Sequence, residues 1–423
     1  MLLLKKLREF KEDVIALHKI KNFDSTEIID TILTLDDDRK KNQKQSDDFK
    51  AEQNQLAKQI GELMKGGKKA EADDLKTKVA DLKEHSKNLD EKLAALEAAI
   101  KELVIRMPNV PSDKVPLGKT PEDNLAVYKN YTDLPELPAD ALAHWDLASK
   151  YDLIDWELGV KITGAGFPVY KNKCARLQRA LINFFLDRAT AAGYMEVQPP
   201  ILINEDSGFG TGQLPDKEGQ MYYVGEDKYY LIPTAEVPLT NLYRDVTLKP
   251  EDLPIKMTGY TPCFRREAGS YGKDVRGLNR LHQFDKVEIV QFQTADKSWE
   301  TLEEMRHYVA GLLQELGLPF RTLLLCGGDM SFASSMTYDM EVYSAAQKRW
   351  LEVSSVSNFQ SFQAIRLNCR VKEDGGMEYV HTLNGSALAL PRIVAALLEN
   401  NQTPEGIRIP DVLVPYTGFA IIS

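Results

Sequence analysis

The sequence predicts a long antiparallel hairpin of two α-helices followed by an α+β body. Between Glu27 and Val104 the chain has no proline, and its apolar residues recur with alternating steps of four and three. Beyond about residue 108, amphipathic helical segments alternate with β-rich runs such as YYLIP and KVEIVQF, separated by polar loops. That alternation is typical of an antiparallel sheet with helices packed on it.

The hairpin rests on two apolar seams and one reversal. Gly66-Gly67 can supply the positive backbone angles of a turn, so two helices of roughly 35 residues would pair there into a coiled coil about 50 Å long. The arm spans about residues 27–104. Its stronger seam is Leu75, Val79, Leu82, Leu89, Leu93, Leu96, Ile100 and Leu103, with Ser86 in the one skipped slot. Its weaker seam is Phe49, Leu56, Ile60 and Leu63, with the polar Gln53 between them.

Charge along the arm leaves two interpretations open. The net charge of −10 argues against a protein that coats nucleic acid indiscriminately. The incoming helix and the tip are nevertheless rich in basic residues: Arg39, Lys40, Lys41, Lys44, Lys50, Lys58, Lys65, Lys68 and Lys69. A solvated coiled coil for dimerisation or spacing explains this surface, and so does an arm that binds a phosphate backbone.

Pro108, Pro111 and Pro116 break the helix and mark a linker, and we predict domains at residues 1–110 and 111–423. The four cysteines are scattered without a C-x-x-C pair, which predicts a reducing compartment and no zinc site.

The sequence contains no run of about 18 consecutive apolar residues, so it predicts no membrane span, and we expect a cytoplasmic protein. Neither a P-loop nor a Rossmann glycine pattern is present.

The stretch PCFRREAGSYGKDVRGLNRLHQFDKVE carries the first candidate site residues. It reads as a strand, a charged glycine-rich loop and a returning strand. Arg265 could hold a phosphate or carboxylate bidentately, and Glu267 could accept a hydrogen bond from an exocyclic amine. Glu288 adds a carboxylate on the returning strand. A cross-strand salt bridge would explain the Arg-x-Glu pair equally well.

Three further stretches place polar groups in apolar surroundings: LIPTAEVPL, LEVSSVSN and HTLNGSALALPRIVAALLEN. The acid and hydroxyl of the second are oxygen ligands of the kind that Mg²⁺ prefers beside a polyphosphate. In the third, an arginine near a helix start adds to the positive end of the helix dipole. Singly, each has a structural explanation, such as a buried hydroxyl or a helix cap. The candidate residues are Thr234, Glu236, Glu352, Ser355, Asn384, Ser386 and Arg392.

Taken together, these stretches resemble a class II aminoacyl-tRNA synthetase, and more closely the seryl-tRNA synthetase family of the bacterial type. GYMEVQPPIL, with Pro200, resembles the first class motif. FRREAGSYGKDVRGLNRLHQF and LNGSALALPRIVAALLEN resemble the second and third. LIPTAEVPL, EVSS and the N-terminal hairpin are similar to segments specific to the serine family. The resemblance covers essentially the whole chain.

The resemblance implies a six- to seven-stranded antiparallel sheet, a homodimer formed through the first motif, and ATP, L-serine and Mg²⁺ as ligands. It implies that the arm and the 269–277 loop bind tRNA(Ser), with the selenocysteine tRNA as a further substrate. For ATP it implies Arg265 on the α-phosphate, Glu267 and Phe284 on adenine, Arg392 on the γ-phosphate, and Glu352 and Ser355 on Mg²⁺. For serine it implies Arg265 on the carboxylate, Thr234 and Glu236 on the amine, and Glu288, Ser386 and Asn384 at the hydroxyl.

One segment departs from the family pattern. Where an acid and a first arginine are expected, SFQAIRL has Ser361 and Ile365, although Arg366 remains. The two charges that the family pattern implies are therefore absent at these positions.

Two alternatives stay open: an amino acid:carrier-protein ligase with the same activation chemistry, and a catalytically inactive paralogue that serves as a coiled-coil scaffold.

Overall fold

The computed structural model describes residues 1–216, 218–267, 276–373 and 375–423. The chain divides into two compact units, one of Met1–Lys19 with Phe23–Pro108 and one of Ile20–Asn22 with Asn109–Ser423. The helices of the first unit are α1 (Leu4–Glu9), α2 (Lys11–His18), α3 (Thr26–Lys65) and α4 (Lys69–Ile105). Those of the second are α5 (His144–Lys150), α6 (Trp156–Ile162), α7 (Asn172–Ala191), α8 (Glu205–Thr211), α9 (Glu236–Asn241), α10 (Ser298–Glu315), α11 (Phe362–Leu367), α12 (Leu390–Asn400) and α13 (Val414–Thr417).

The first unit confirms the predicted hairpin. α3 ends at Lys65 and α4 begins at Lys69, and Gly67 takes the positive φ of +74° that the reversal requires. Leu82, Ser86, Leu93 and Ile100 are buried along the α4 seam. The register across the pair is marked by the Ser46 hydroxyl, which donates to the Asp90 carboxylate at 2.9 Å.

The second unit is built on an eight-stranded sheet in the described ranges. Its strand order is β1-β11-β12-β13-β16-β10-β9-β4. Seven strands pair antiparallel, as the resemblance implies, and the short β4 adds one parallel edge strand beside β9. The strands are β1 (Leu125–Lys129), β4 (Met195–Glu196), β9 (Ile255–Phe264), β10 (Gln283–Gln293), β11 (Phe320–Leu324), β12 (Met336–Ser344), β13 (Arg349–Gln360) and β16 (His381–Ala389).

Short strands form small additional sheets around the main one. Their pairing is β5-β7-β6, β15-β14-β8, β17-β18-β19 and β2-β3. They are β2 (Ile154–Asp155), β3 (Val169–Tyr170), β5 (Leu202–Ile203), β6 (Tyr223–Val224), β7 (Tyr229–Leu231), β8 (Thr247–Leu248), β14 (Arg370–Glu373), β15 (Gly376–Tyr379), β17 (Gln402–Thr403), β18 (Gly406–Arg408) and β19 (Ile421–Ile422).

The main core joins the sheet to three helices. α7, α10 and α12 contribute buried apolar side chains to one cluster with the central strands, including Phe184, Phe185, Met305 and Ile393. Alternate residues of a strand face opposite sides of a sheet, so the strand side chains outside this cluster are free to line a site. None of the helices in the described part of the chain combines the length and hydropathy that crossing a bilayer requires.

Candidate active site

The floor of the candidate site is the hairpin of β9 and β10. Arg265 follows the last residue of β9, and its backbone N–H donates to the carbonyl of His282 at 2.9 Å, just before β10 begins. The Arg265 guanidinium lies 5.2 Å from the centroid of the Phe284 ring and donates from Nε to the carbonyl of Pro233 at 3.4 Å. The arginine and the aromatic ring predicted to bind ATP are therefore brought together.

A buried charged network lies further along β10. Lys286 and Glu288 are two residues apart on one face of the strand, and Lys286 Nζ is 2.5 Å from Glu288 Oε2. The Thr234 hydroxyl donates to Glu288 at 3.1 Å and accepts from Lys286 at 2.9 Å. All three side chains are buried. A buried ion pair is favourable only when further hydrogen bonds satisfy it, and Thr234 supplies them.

Glu236 is the second buried carboxyl of the site. It begins α9 and accepts a hydrogen bond from Gln363 Nε2 at 2.7 Å. Gln363 is itself fixed, because its Oε1 accepts from the Thr382 hydroxyl at 2.6 Å. Burial, together with the nearby Glu288 carboxylate, raises the pKa of Glu236 to about 7. Burial also raises the pKa of Glu288, against the lowering effect of Lys286.

Cross-strand register brings Ser386 to this network. Ser386 on β16 lies directly opposite Glu288 on β10. Side chains of directly opposed residues have Cβ atoms about 4.5–5.5 Å apart, close enough to share one small ligand. Asn384 lies two residues earlier on the same face of β16. On its other side Glu288 faces Gly259, where an added Cβ would approach the carbonyl oxygen of Val197 to 2.7 Å.

Glu352 and Ser355 meet through a β-bulge. Residues three apart in a regular strand face opposite sides of a sheet. Here the register between β12 and β13 shifts by one residue between Met340 and Glu341, and the Ser355 hydroxyl lies 3.5 Å from Glu352 Oε1. Ser355 donates its proton to the buried Asp339 at 2.5 Å, which leaves the lone pairs of its oxygen free.

This oxygen pair suits Mg²⁺. Neighbouring ligands of an octahedral magnesium ion lie about 2.9 Å apart, so a small adjustment of the Glu352 side chain would satisfy the geometry. Within the described residues, no group of three or more His, Cys, Asp or Glu side chains is placed to hold a metal ion. Burial and the neighbouring Glu352 raise the pKa of Asp339.

Arg392 lies beside Glu352 at the start of α12. Its Nη1 donates to the Glu352 carbonyl at 2.7 Å and is 3.6 Å from the Glu352 carboxylate. Its Nε donates to the carbonyl of Asn279 at 3.0 Å. The guanidinium is therefore held by two backbone carbonyls next to the proposed metal ligands.

Glu267 is already engaged in an ion pair. The Arg280 guanidinium donates to its Oε2, and the Glu267 backbone takes a positive φ of +49°. Of the 269–277 loop, only Arg276 and Gly277 belong to the described residues, and Arg276 lies 4.4 Å from the Trp145 ring. The rest of the predicted loop lies outside them.

Three residues of the site were missed from the sequence. Lys286 could have been found, because its spacing from Glu288 places both on one strand face. Gln363 lies within the departing segment SFQAIRL but carried no signal of its own. Asp339 comes from a neighbouring strand, which no local pattern reveals.

The departing segment SFQAIRL forms α11 and supports α8. Arg366 donates to the carbonyls of Phe209 and Leu214, both at 3.2 Å, and burial lowers its pKa to about 10. Gln363 also donates to the Thr211 carbonyl at 3.1 Å. The charge that remains in this segment therefore holds backbone carbonyls.

An antiparallel sheet with an arginine and an aromatic ring on one hairpin, and a second arginine at the start of α12, fits a class II aminoacyl-tRNA synthetase. Residues 222–401 match the tRNA synthetase class II core domain of the G, H, P, S and T type. Residues 1–111 match the seryl-tRNA synthetase N-terminal domain.

Comparisons with individual proteins narrow the class to one family. The chain is 49% identical over 408 residues to the serine–tRNA ligase of Salinibacter ruber, covering 96% of this chain and 95% of that protein. It is 46% identical over 423 residues to that of Prosthecochloris aestuarii, covering 98% and 94%. The crystal structure of seryl-tRNA synthetase from Pyrococcus horikoshii complexed with ATP superposes with a TM-score of 0.93 at 33% identity, covering 100% of this chain and 99% of that one. The chain belongs to the seryl-tRNA synthetase family, and these matches support neither alternative considered above.

Proposed function

We propose that this chain activates L-serine with ATP, giving seryl-adenylate and pyrophosphate, and transfers serine to the 3′ end of tRNA(Ser). One observation carries the proposal: Lys286 and Glu288, which the Thr234 hydroxyl joins in a buried network, lie on the same β9–β10 hairpin as the Arg265–Phe284 pair. A small polar substrate and a nucleotide can therefore meet at one arginine. Family membership supports the same reaction.

The serine pocket recognises the substrate by burying polar groups against it. Thr234 and Glu236 face the amine, while Glu288 and Ser386 bind the hydroxyl, with Asn384 alongside. Alanine would leave buried hydrogen-bonding groups unpaired, and such sites reject the analogue that lacks the hydroxyl by about 10⁴-fold or more. Lys286 Nζ, 2.5 Å from Glu288 Oε2, favours the ionised, accepting form of Glu288 against the pKa-raising effect of burial.

The nucleotide lies across the strand ends. Phe284 stacks on adenine, Glu267 accepts from the adenine amine, Arg265 holds the α-phosphate and Arg392 the γ-phosphate. Glu352 and Ser355 would hold Mg²⁺ with the nucleotide. When bound, the ion neutralises charge that develops on the phosphate oxygens.

Activation needs alignment more than proton transfer. The serine carboxylate is already ionised at neutral pH, so it attacks the α-phosphorus without a general base. The new bond joins a carboxylate oxygen to this phosphorus while the bond to the leaving pyrophosphate breaks. Arg265 contacts both reactants, which lowers the entropy cost of alignment and stabilises negative charge on the α-phosphate. Arg392 stabilises the departing pyrophosphate.

The transfer step involves the tRNA acceptor end and the arm. A terminal ribose hydroxyl attacks the adenylate carbonyl and releases AMP. Residues 1–110 form the tRNA-binding domain, and the exposed Lys41, Lys44, Lys58 and Lys65 of α3 suit a phosphate backbone read by shape. Residues 111–423 form the catalytic domain. The 269–277 loop contacts the acceptor end, and the selenocysteine tRNA is a further substrate.

The chain works as a homodimer in the cytoplasm. Met195, Ile201 and Leu202, all within the first motif, are exposed apolar side chains. A second copy of the same surface would remove them from water, since clustered exposed apolar groups mark interaction sites.

The deciding experiment is amino-acid-dependent ATP–pyrophosphate exchange with each of the twenty amino acids, followed by tRNA charging. Exchange with serine alone, and charging of serine tRNA, is expected. Exchange without tRNA charging would indicate the carrier-protein ligase, and no exchange with any amino acid would indicate the inactive paralogue.

Arg265→Ala should abolish the exchange, because no other described group contacts both reactants in this proposal. Arg265→Lys keeps the charge but loses the planar fork, so it should recover only a small part. Near-normal exchange by a folded Arg265→Ala protein would contradict the assignment.

A further inference from the structure

A hydrogen-bond chain lies outside the proposed substrate contacts and begins at the buried His144. This residue opens α5, and its side chain is entirely inaccessible. The backbone N–H of Leu278 donates to His144 Nε2 at 2.8 Å, and His144 Nδ1 lies 2.7 Å from Glu399 Oε1. Because Nε2 accepts, the ring proton is on Nδ1, and the ring donates to the carboxylate.

Glu399 is the hub of this chain. Its carboxylate also accepts from the backbone N–H of His144 at 3.0 Å, from Gln347 Nε2 at 2.9 Å and from the Ser344 hydroxyl. Glu399 lies in the last turn of α12, where the helix dipole disfavours a negative charge. A buried carboxylate at this end of a helix is costly without such donors, so these contacts explain its presence.

The chain then reaches the arginine at the other end of α12. Gln347 Oε1 accepts from Asn279 Nδ2 at 3.0 Å, and the Asn279 carbonyl accepts from Arg392 Nε at 3.0 Å. The Leu278–Asn279 segment is thus held at its backbone by His144 and at its side chain by Gln347. The contact of this segment with Arg392 is the Asn279 carbonyl, which accepts from the guanidinium.

The packing at Gly277 is a second, independent sign that the Leu278–Asn279 segment is held against His144. Gly277 has a φ of +64°, and an added Cβ would lie 2.2 Å from His144 Nε2 and 2.9 Å from the Trp145 ring. The residue before Leu278 therefore has to be a glycine for the segment to reach His144. Arg276, one residue earlier, stacks on Trp145 at 4.4 Å.

We propose that His144 is a positioning residue for Arg392, acting through the backbone of Leu278–Asn279. Nothing in the reaction requires His144 to touch ATP or serine. The inference rests on the proposed function of Arg392 as the γ-phosphate ligand. It predicts that loss of the His144–Leu278 bond weakens ATP binding and leaves the serine pocket, on β10 and β16, unaffected.

Two substitutions of His144 each keep one of its two side-chain hydrogen bonds and remove the other. The amide of His144→Asn can occupy the place of Nδ1 and donate to Glu399, but it leaves the Leu278 N–H without its acceptor. The amide of His144→Gln can occupy the place of Nε2 and accept from Leu278. If the role is positional, His144→Asn should lose about tenfold or more in kcat/KM for ATP, a size typical of misplaced reacting groups, and His144→Gln should recover most of it. The KM for serine should change less than about twofold in both.

A matched control is His18→Asn. His18 is another fully buried histidine, whose Nε2 lies 3.1 Å from the Pro108 carbonyl in the first unit. This variant should lower the thermal midpoint while its pyrophosphate exchange, measured without tRNA, stays as in wild type. A purely structural role for His144 predicts the same pattern for His144→Asn, and finding it would overturn the proposal.

Direct ATP binding by calorimetry tests whether His144 acts through Arg392. His144→Asn should weaken ATP binding about tenfold in the wild-type background and less than about twofold in an Arg392→Ala background, since coupled residues are not additive. Equal losses in both backgrounds would refute the proposed route.

If His144→Asn does not fold, Gln347→Ala breaks the same hydrogen-bond chain at a residue that is only half-buried. A folded Gln347→Ala protein with the wild-type ATP affinity and kcat/KM for ATP would equally refute the inference. Failure of the proposed function is distinguishable, because the wild-type protein itself would then show no serine-dependent exchange.

Discussion

Serine binding should weaken as the pH falls, because the carboxyl proposed to pair with the substrate amine has to be ionised. Burial and the neighbouring Glu288 raise the pKa of Glu236 to about 7. With that pKa, about 9% of the group is ionised at pH 6 and about 91% at pH 8, and apparent affinity scales with the competent fraction. The KM for serine should therefore be about tenfold higher at pH 6 than at pH 8. Free serine keeps the same zwitterionic form over this range.

The assay is ATP–pyrophosphate exchange at saturating ATP, with serine varied at each pH. Glu236→Gln keeps the shape but cannot ionise, so its KM should be high at pH 8, by about tenfold or more for a lost charge-assisted bond, and should lose the tenfold pH dependence. Glu378→Gln, an exposed carboxyl on β15, is the matched control and should behave as wild type. A flat wild-type KM, or an unchanged slope in Glu236→Gln, would refute the reasoning.

The same pKa has a consequence for stability that needs no substrate. Between the ordinary carboxyl pKa near 4.5 and the folded value of about 7, the folded state holds a proton that the unfolded state has lost. The free energy of unfolding should therefore fall as the pH rises through this window, by up to about 3 kcal/mol from this one group. Glu236→Gln should lack that fall in urea unfolding measured at pH 4.5 and pH 7. If the difference in the free energy of unfolding between wild type and Glu236→Gln does not change with pH, that result would contradict a raised pKa for the buried Glu236.

The remaining predictions concern the arm and the metal site. Residues 47–89 can be replaced by a Gly-Gly turn just beyond the Ser46–Asp90 pair. This variant should keep serine-dependent exchange within about twofold of wild type but charge tRNA about a hundredfold more slowly, because the phosphate contacts of the arm are lost. Unchanged charging would show that the arm does not bind tRNA. Asp339→Ala should raise the Mg²⁺ concentration for half-maximal exchange by about tenfold, because the Ser355 proton loses its acceptor at 2.5 Å and the hydroxyl turns. Asp339→Asn, which still offers a carbonyl oxygen, should restore most of the affinity, and an identical Mg²⁺ requirement in all three proteins would argue against this role.

The arm could be predicted from the sequence because its determinants are local. A seam with alternating steps of three and four residues can be buried only along one helix face, and Gly66-Gly67 is the one place where both helices can reverse. The predicted span of about 27–104 accordingly agrees with helices that begin at Thr26 and end at Ile105. The α+β class of the body followed in the same way from strand runs and their separating loops.

The proximity of the candidate site residues could be predicted from the sequence for some of them only. Arg265, Phe284 and Glu288 belong to one β-hairpin, so their proximity follows from short-range pairing. The spacing of Glu352 and Ser355 by itself predicts opposite faces of a strand, and only the bulge between β12 and β13 brings the two side chains to one side.

By itself, then, the sequence determined the secondary structure, the reversal of the arm and the residue types available for chemistry, because these depend on neighbours a few positions apart. Only the tertiary structure decided which distant groups pair: Ser386 opposite Glu288, Gln363 on Glu236, and His144 beneath Leu278. These contacts depend on strand register and helix packing, which are set by the whole core. A shift of one residue in a strand would turn every one of its side chains to the other face.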